Sequence, residues 1–306
     1  MELRGDIGAT RLELSAAAKA GARSVLLLGR LAMKKKSKSK SKWQAVLPAG
    51  VRPGDLSLAQ LHDAKRVHEF LTEDIRAPEE IAYYIRSFRF LLFFGVACIH
   101  ENKYPPLTAC WNDLDERFMQ DPYFDDELFV QSWILFDFPF GPDGQTALDY
   151  FQTFLSGGDT GAQFERFIHA ARRSRLGLHQ DVMHTKQHAK VRELFTGDIN
   201  ELFPSAHYER GEILLVRLMP YRQGAFMFGH PKGFPRDARA MIEGMVLDKM
   251  FLLRENLEHG LSERTRYERF MKVAGPYWMS CVTPNEDAPV LAPDHYRGYF
   301  DANHRG

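Results

Sequence analysis

The sequence predicts an α+β protein with a helical N-terminal half, a small antiparallel β-barrel-like module and a helical C-terminal segment. Residues 164–175 place apolar side chains at helical spacing, which predicts an amphipathic helix. From Leu176 the hydrophobic period changes from about 3.6 residues to about 2, which indicates strands. Five short strand patterns follow, separated by turn residues at intervals of roughly eight to twelve residues. This spacing is typical of a small open barrel, either SH3-like or OB-like.

Four segments are predicted along the chain. Residues 1–54 form a basic, disordered extension and linker, 55–175 a helical domain, 176–235 the β module, and 236–306 C-terminal helices with an irregular tail. Residues 1–42 hold eleven Lys or Arg and three acidic residues, a net charge of +8, so the remainder carries −8. Met33 begins the Lys/Ser run, so we interpret residues 1–32 as an upstream extension of the reading frame.

The helices are predicted from apolar spacing and from their capping residues. Asp55 or Ser57 is predicted to begin the first helix, and Gln145 or Thr146 the one that ends at Leu155. Tyr104-Pro105-Pro106 is predicted to break the second, and residues 127–138 are predicted to form an apolar strand. The predicted helices are Ser57–Glu69, Ala77–His100, Asp113–Met119, Thr146–Leu155, Gln163–Arg175, Arg236–Leu257 and Ser262–Val273.

The strands of the β module are predicted from alternation and from the turns that separate them. Thr196-Gly197-Asp198 is predicted to be a tight turn, because glycine adopts a positive φ at little cost. Residues 221–224 are predicted to form another turn. The predicted strands are Leu176–Val182, Lys190–Phe195, Ile199–Phe203, Glu212–Met219 and Ala225–Phe228.

Composition excludes several classes of protein. The three cysteines, Cys98, Cys110 and Cys281, are far apart and include no CxxC pair, so neither a zinc ribbon nor a disulfide framework is expected. The longest apolar run, residues 88–99, is too short to predict a membrane span. The sequence also lacks the phosphate-loop, dinucleotide, serine-hydrolase and zinc-protease motifs. A cytoplasmic protein without a cofactor is therefore expected.

A series of short motifs spans residues 125–235. They are Trp133-Ile-Leu-Phe-Asp137, Gly144-Gln-Thr146, Ala171-Arg-Arg-Ser-Arg-Leu-Gly-Leu178, Val191-Arg-Glu-Leu-Phe-Thr-Gly197, Gly211–Met219 and Gly229. The series resembles a widespread group of bacterial proteins that often carry a C-terminal SEC-C metal-binding motif. The resemblance implies no enzymatic activity. This chain has no CxC with a later Cys-His or Cys-Cys pair, so the resemblance does not extend to the zinc-dependent tail.

The leading functional prediction is a non-catalytic binding or adaptor protein whose partner is a protein or a nucleic acid. Basic residues concentrate where the helix meets the barrel, and they could follow a phosphate backbone while tyrosines stack on bases. Acidic residues interleave with them, so a mixed-charge surface is the alternative. The candidate binding residues are Arg172, Arg173, Arg175, Lys186, Lys190, Arg192, Tyr208 and Tyr221.

A metal-dependent enzyme is the second alternative. Asp121, Asp125, Asp126 and Glu127 are clustered, and His179, His184 and His188 lie close together in sequence. The histidines fall on strand and turn, where the residue spacing separates them too far for one ion. Asp137 lies among aromatic residues and is predicted to form a structural ion pair with Arg173 or Arg175.

Overall fold

A computed structural model describes residues 57–63, 67–68, 71–72, 77–116, 127–156, 159–185, 189–203, 212–234, 236, 239–240, 242–244, 246, 262–273 and 275. These residues form helices around a five-stranded barrel, so the α+β prediction is confirmed. The elements are α1 (Leu58–Leu61), α2 (Glu79–His100), α3 (Pro105–Leu114), α4 (Glu127–Phe136), α5 (Ala147–Leu155), α6 (Asp159–Arg173), β1 (Arg175–His184), β2 (Ala189–Glu193), β3 (Ile199–Leu202), β4 (Ile213–Tyr221), β5 (Gly224–Phe234) and α7 (Glu263–Val273).

The long helix α2 is the centre of the helical layer. Its phenylalanines pack against α5 and α6: the ring of Phe90 lies 5.7 Å from that of Phe151 and 5.1 Å from that of Phe164. It is the one helix among the described residues that is long and apolar enough to cross a membrane, yet 78% of its most apolar window is buried. The burial of α2 against its neighbours in the protein therefore explains its apolar composition. Burial also raises the pKa of Cys98 to about 12.

Two predictions in the helical half are wrong. The apolar run predicted as a strand forms helix α4, whose residues from Phe129 to Phe136 are all buried. A fully buried helix and a buried strand both read as continuous apolar runs, so periodicity could not separate them. The helix predicted to start at Asp113 begins instead at Pro105 as α3, because proline lacks only an N–H that the first turn leaves unpaired. The break predicted before these prolines is confirmed, since α2 ends at His100.

The other helix boundaries follow their capping residues. Ser57 caps α1 through a reciprocal hydrogen-bond pair with Gln60, and Thr146 caps α5 in the same way with Asp149. Helix α6 begins at Asp159, four residues before the prediction, and ends at Arg173 because Arg175 already belongs to β1. Much of the predicted helix over residues 236–257 lies outside the described residues. Helix α7 agrees with its prediction to within one residue.

The five strands close into a barrel in the order β1-β2-β3-β5-β4, whereas an open barrel was predicted. Neighbouring strands are antiparallel except β3 and β5, which pair in parallel. Strand β4 is buried on both faces, because its inner face lines the barrel lumen and its outer face packs against the helices. The lumen holds the apolar side chains of Ala189, Val191, Leu202, Leu214, Val216, Leu218 and Ala225. The outward residues of β4 join the helical core.

Gly224, the first residue of β5, is needed for the close approach of β3. A Cβ at this position would lie inside van der Waals distance of the Glu201 carbonyl oxygen, which is backbone and cannot turn aside. We expect Gly224→Ala to lower the free energy of unfolding by about 2 kcal/mol, measured by urea denaturation. Gly244→Ala is the matched control, because nothing lies within 4 Å of the added methyl and the residue is helical. Equal stability of the two variants would contradict the expectation.

Candidate functional site

One end of the barrel opens into a cleft of about 610 Å³, which we call the barrel-mouth cleft. The start of β1, the end of β2, the start of β3 and the β4–β5 turn form its walls, and α7 lies across one side. Barrel mouths are common positions for ligand sites, and this volume lies within the range of such pockets. The cleft is therefore the candidate site.

His179 forms part of the floor of the cleft. It pairs with Glu193 of β2 and Leu214 of β4 in the strand register, and directly opposed residues share a face, so its side chain points into the lumen. Its Nε2 atom would lie 2.9 Å from a Cβ at Gly177, so the imidazole leans over that glycine toward the mouth. Gly177 provides the space that the ring occupies.

The imidazole of His179 is buried, and its hydrogen-bonding groups are unsatisfied within the described part of the chain. The residue is 2% exposed, and neither ring nitrogen has a partner among the described residues. Burial disfavours the charged form and lowers the pKa of His179 to about 4, so the ring is neutral at ordinary pH. Buried polar atoms are normally satisfied, so two orphaned nitrogens facing a cleft indicate a place for a ligand or water.

Glu193 is the second buried polar group of the floor, and its hydrogen bonds are satisfied. One carboxylate oxygen accepts from the backbone N–H groups of Phe195 and Thr196, and the other accepts from the Tyr267 hydroxyl. The Tyr267 ring stacks on Phe195 at 4.6 Å. Burial, followed by the charge of Glu193, raises the pKa of Tyr267. These contacts attach α7 to the barrel rather than leaving acidic charge free in the cleft.

Five cationic side chains line the cleft. Arg264 is paired with Asp198 through both terminal nitrogens and with Glu268 through Nε. The others have no carboxylate partner among the described residues; they are Arg173, Arg175, Arg222 and Lys272. Every lining carboxylate is already engaged with an arginine or with hydrogen-bond donors. The rim therefore presents positive charge to whatever enters.

Arg222 has an unusual backbone for its residue type. It begins the β4–β5 turn with φ of 54°, a left-handed conformation that favours glycine or asparagine. Its guanidinium lies 5.0 Å from the centroid of the Tyr221 ring. An arginine in the left-handed region at the mouth of a pocket is a candidate for a functional role.

A buried ion pair joins the helical layer to the barrel beside the cleft. Asp137, at the end of α4, pairs with Arg217 of β4, which also donates to the Ser174 hydroxyl at 3.2 Å. The predicted partners, Arg173 and Arg175, were wrong. Arg217 lies on the outward face of β4, opposite Leu176 in the register, so barrel closure turns it toward α4. Its guanidinium also lies 5.2 Å from the Phe136 ring.

The predicted binding residues are divided among several places. Arg173 and Arg175 lie at the cleft, whereas the exposed Arg172 is paired with Asp149. Lys190 and Arg192 lie on the outer wall of the barrel, because they alternate with the lumen residues of β2. Tyr221 is 4% exposed and packs against Phe203 and Phe226, so its ring is not free for stacking. Lys186 and Tyr208 lie outside the described residues.

The residues of the metal alternative do not form a site in the described part of the chain. His179 and His184 lie five residues apart on β1, which is about 16 Å by strand rise. Asp121, Asp125, Asp126 and His188 lie outside the described residues. Among those that the structure describes, no group of three His, Cys, Asp or Glu side chains could hold a metal ion.

Several site residues were missed in the sequence. Arg222, Tyr267 and Lys272 reach the cleft only because the β4–β5 turn and α7 meet at the barrel mouth. His179 was considered only as a metal ligand. Its local signal was the glycine two residues earlier on the same strand face, which leaves room for a ring.

Comparisons with known proteins add no relative. No protein-family model matches the chain, and neither the curated proteins nor the solved structures give a match. The resemblance to SEC-C-associated bacterial proteins therefore stays a prediction, as does a cytoplasmic location. The case for function depends on the geometry of the site.

Proposed function

We propose that this chain is a non-catalytic binding protein that holds an anionic ligand in the barrel-mouth cleft. The observation that supports this proposal is the set of four cations that have no carboxylate partner in the described part of the chain and surround a cleft of about 610 Å³. The carboxylates of the lining are already engaged, so positive charge is in excess at the rim, and a cleft walled by protein focuses that field on an anion. Arginine also binds phosphate and carboxylate groups through two parallel hydrogen bonds.

The test removes two cations that the barrel core does not need. Arg173 and Arg222 are both exposed, so Arg173→Gln with Arg222→Gly should leave the fold intact, and glycine suits the φ of residue 222. In a calorimetric titration we expect inorganic pyrophosphate to bind the wild type. We expect its affinity for the double variant to be at least about tenfold lower. Binding to the wild type should also weaken as salt is raised.

The outer wall of the barrel supports a second candidate function, single-stranded nucleic-acid binding. Lys190 and Arg192 face outward beside three exposed apolar side chains, Val182, Met183 and Ile199. The strand order, with one parallel pair, favours the OB-like form of the predicted barrel over the SH3-like form. OB barrels bind oligonucleotides over strands 2 and 3. Phosphate contacts from lysine and arginine would supply most of that affinity.

A crossed experiment separates the two candidates. Lys190→Gln with Arg192→Gln removes charge from the wall and leaves the cleft unchanged, so each double variant is the control for the other. If the cleft is the site, the cleft variant loses pyrophosphate and the wall variant keeps it. If a labelled oligothymidine binds the wild type and only the wall variant loses it, the wall is the functional surface. Pyrophosphate affinity that neither variant changes would contradict the cleft proposal.

A further inference from the structure

We propose that the ligand of the barrel-mouth cleft is an organic phosphate the size of a nucleoside monophosphate, with its phosphate at the arginine rim and its uncharged polar end on His179. This inference depends on the proposed anion site and adds the chemistry of the ligand. It follows from the distribution of charge in the cleft: the cations lie at the rim, and the floor has a buried imidazole with no partner among the described residues.

The dimensions of the cleft favour an occupant larger than a lone inorganic ion. Arg175 and His179 lie on the same face of β1, four residues apart, which separates their Cα atoms by about 13 Å. The imidazole leans back over Gly177, which shortens the gap to the rim. A ligand that contacts both the rim and the imidazole in a cleft of about 610 Å³ is therefore expected to be larger than a single phosphate group. Sugar phosphates and mononucleotides have this length.

The state of His179 defines the end of the ligand that it meets. A neutral imidazole has one nitrogen that donates and one that accepts a hydrogen bond, and neither is used by any residue that the structure describes. The pKa of His179 is lowered to about 4 by burial, so the ring would not act as another cation at neutral pH. The neighbouring carboxylate of Glu193 is already occupied by Tyr267 and two backbone N–H groups. The floor therefore favours an uncharged group that both donates and accepts, such as a hydroxyl or the edge of a nucleobase.

His179→Phe tests the inference because it keeps a flat ring and removes both nitrogens. Replacing a buried polar group that lacks a partner with an apolar ring should leave the unfolding midpoint unchanged or raise it. The probes are inorganic phosphate, ribose 5-phosphate and the four common ribonucleoside monophosphates, titrated calorimetrically. We expect at least one organic phosphate to bind the wild type about tenfold or more tightly than inorganic phosphate. His179→Phe should reduce that preference to less than about threefold, while inorganic phosphate binds as before.

The control is His169→Gln, which changes an exposed histidine of α6 and should preserve the preference. If no organic phosphate is preferred, or if the preference survives in His179→Phe, the assignment of His179 is overturned while the cleft remains an anion site. The double variant Arg173→Gln with Arg222→Gly shows whether the proposed anion site itself has failed, as opposed to the assignment of His179 alone. If it binds every probe as tightly as the wild type does, phosphate is held elsewhere, and both the site and the inference are wrong.

Discussion

Asp137→Asn is expected to lower the free energy of unfolding by about 3–5 kcal/mol, which urea denaturation would measure. The substitution leaves the Arg217 guanidinium charged and without a counter-ion, although only 3% of that side chain is exposed. The penalty arises because an uncompensated charge is costly in the protein interior. The pair itself need not stabilise the fold strongly, because its formation also required both groups to lose water.

A double variant separates these two contributions. Asp137→Leu with Arg217→Met replaces the pair with apolar side chains, and we expect it to recover most of the stability lost in Asp137→Asn. Ser174 remains satisfied because its hydroxyl also donates to the Ala171 carbonyl oxygen. Arg172→Met is the matched control: the Arg172 side chain is 44% exposed, and its ion pair with Asp149 should contribute about 1 kcal/mol or less. A double variant as unstable as Asp137→Asn would show that the pair is needed for packing and not merely tolerated.

Acid is expected to destabilise the wild type through His179 by roughly 3 kcal/mol between pH 6.5 and about pH 4. The pKa of His179 is about 4 in the folded protein and near 6.5 in an unfolded chain. In that window the unfolded state binds a proton at this site and the folded state does not, so stability rises with pH. The contribution is fully present above pH 6.5 and is lost as the pH falls toward 4.

The measurement compares unfolding free energies at a series of pH values in wild type, His179→Phe and His169→Gln. Subtraction cancels the titration of groups that the proteins share. The wild type should lose stability relative to His179→Phe as the pH falls through the window, whereas His169→Gln should keep that loss because it retains His179. Parallel curves for wild type and His179→Phe would mean that His179 titrates normally in the folded state.

The elements that were predicted well have strong local signals. Helix α2 begins near its proline and acidic first turn, α5 begins at a threonine cap, and the turn at Gly197 has the positive φ, 75°, that the glycine suggested. Each depends on residues within a few positions of one another. Helix α4 was missed because its sequence is apolar on nearly every face, so it has no helical period, and only its surroundings show that it is a buried helix.

The site was predicted only in part for a similar reason. Arg173 and Arg175 were candidates because they belong to a visible run of basic residues. Nothing local distinguished Arg222 or Lys272 from ordinary surface cations. Tyr221 looked like a stacking residue, yet barrel closure buries it among other aromatic rings.

By itself, the sequence determined most of the helices, the order of the five strands, the change of period at Leu176 and most turn positions, because these depend on side chains a few residues apart. Only the tertiary structure decided that the barrel closes, that Asp137 meets Arg217 across 80 residues, and that His179 faces the lumen with no partner among the residues described. Those outcomes depend on which strand faces turn inward and which turn toward the helices. That choice minimises the apolar surface exposed to water over the whole chain, so it cannot be read from any short window of residues.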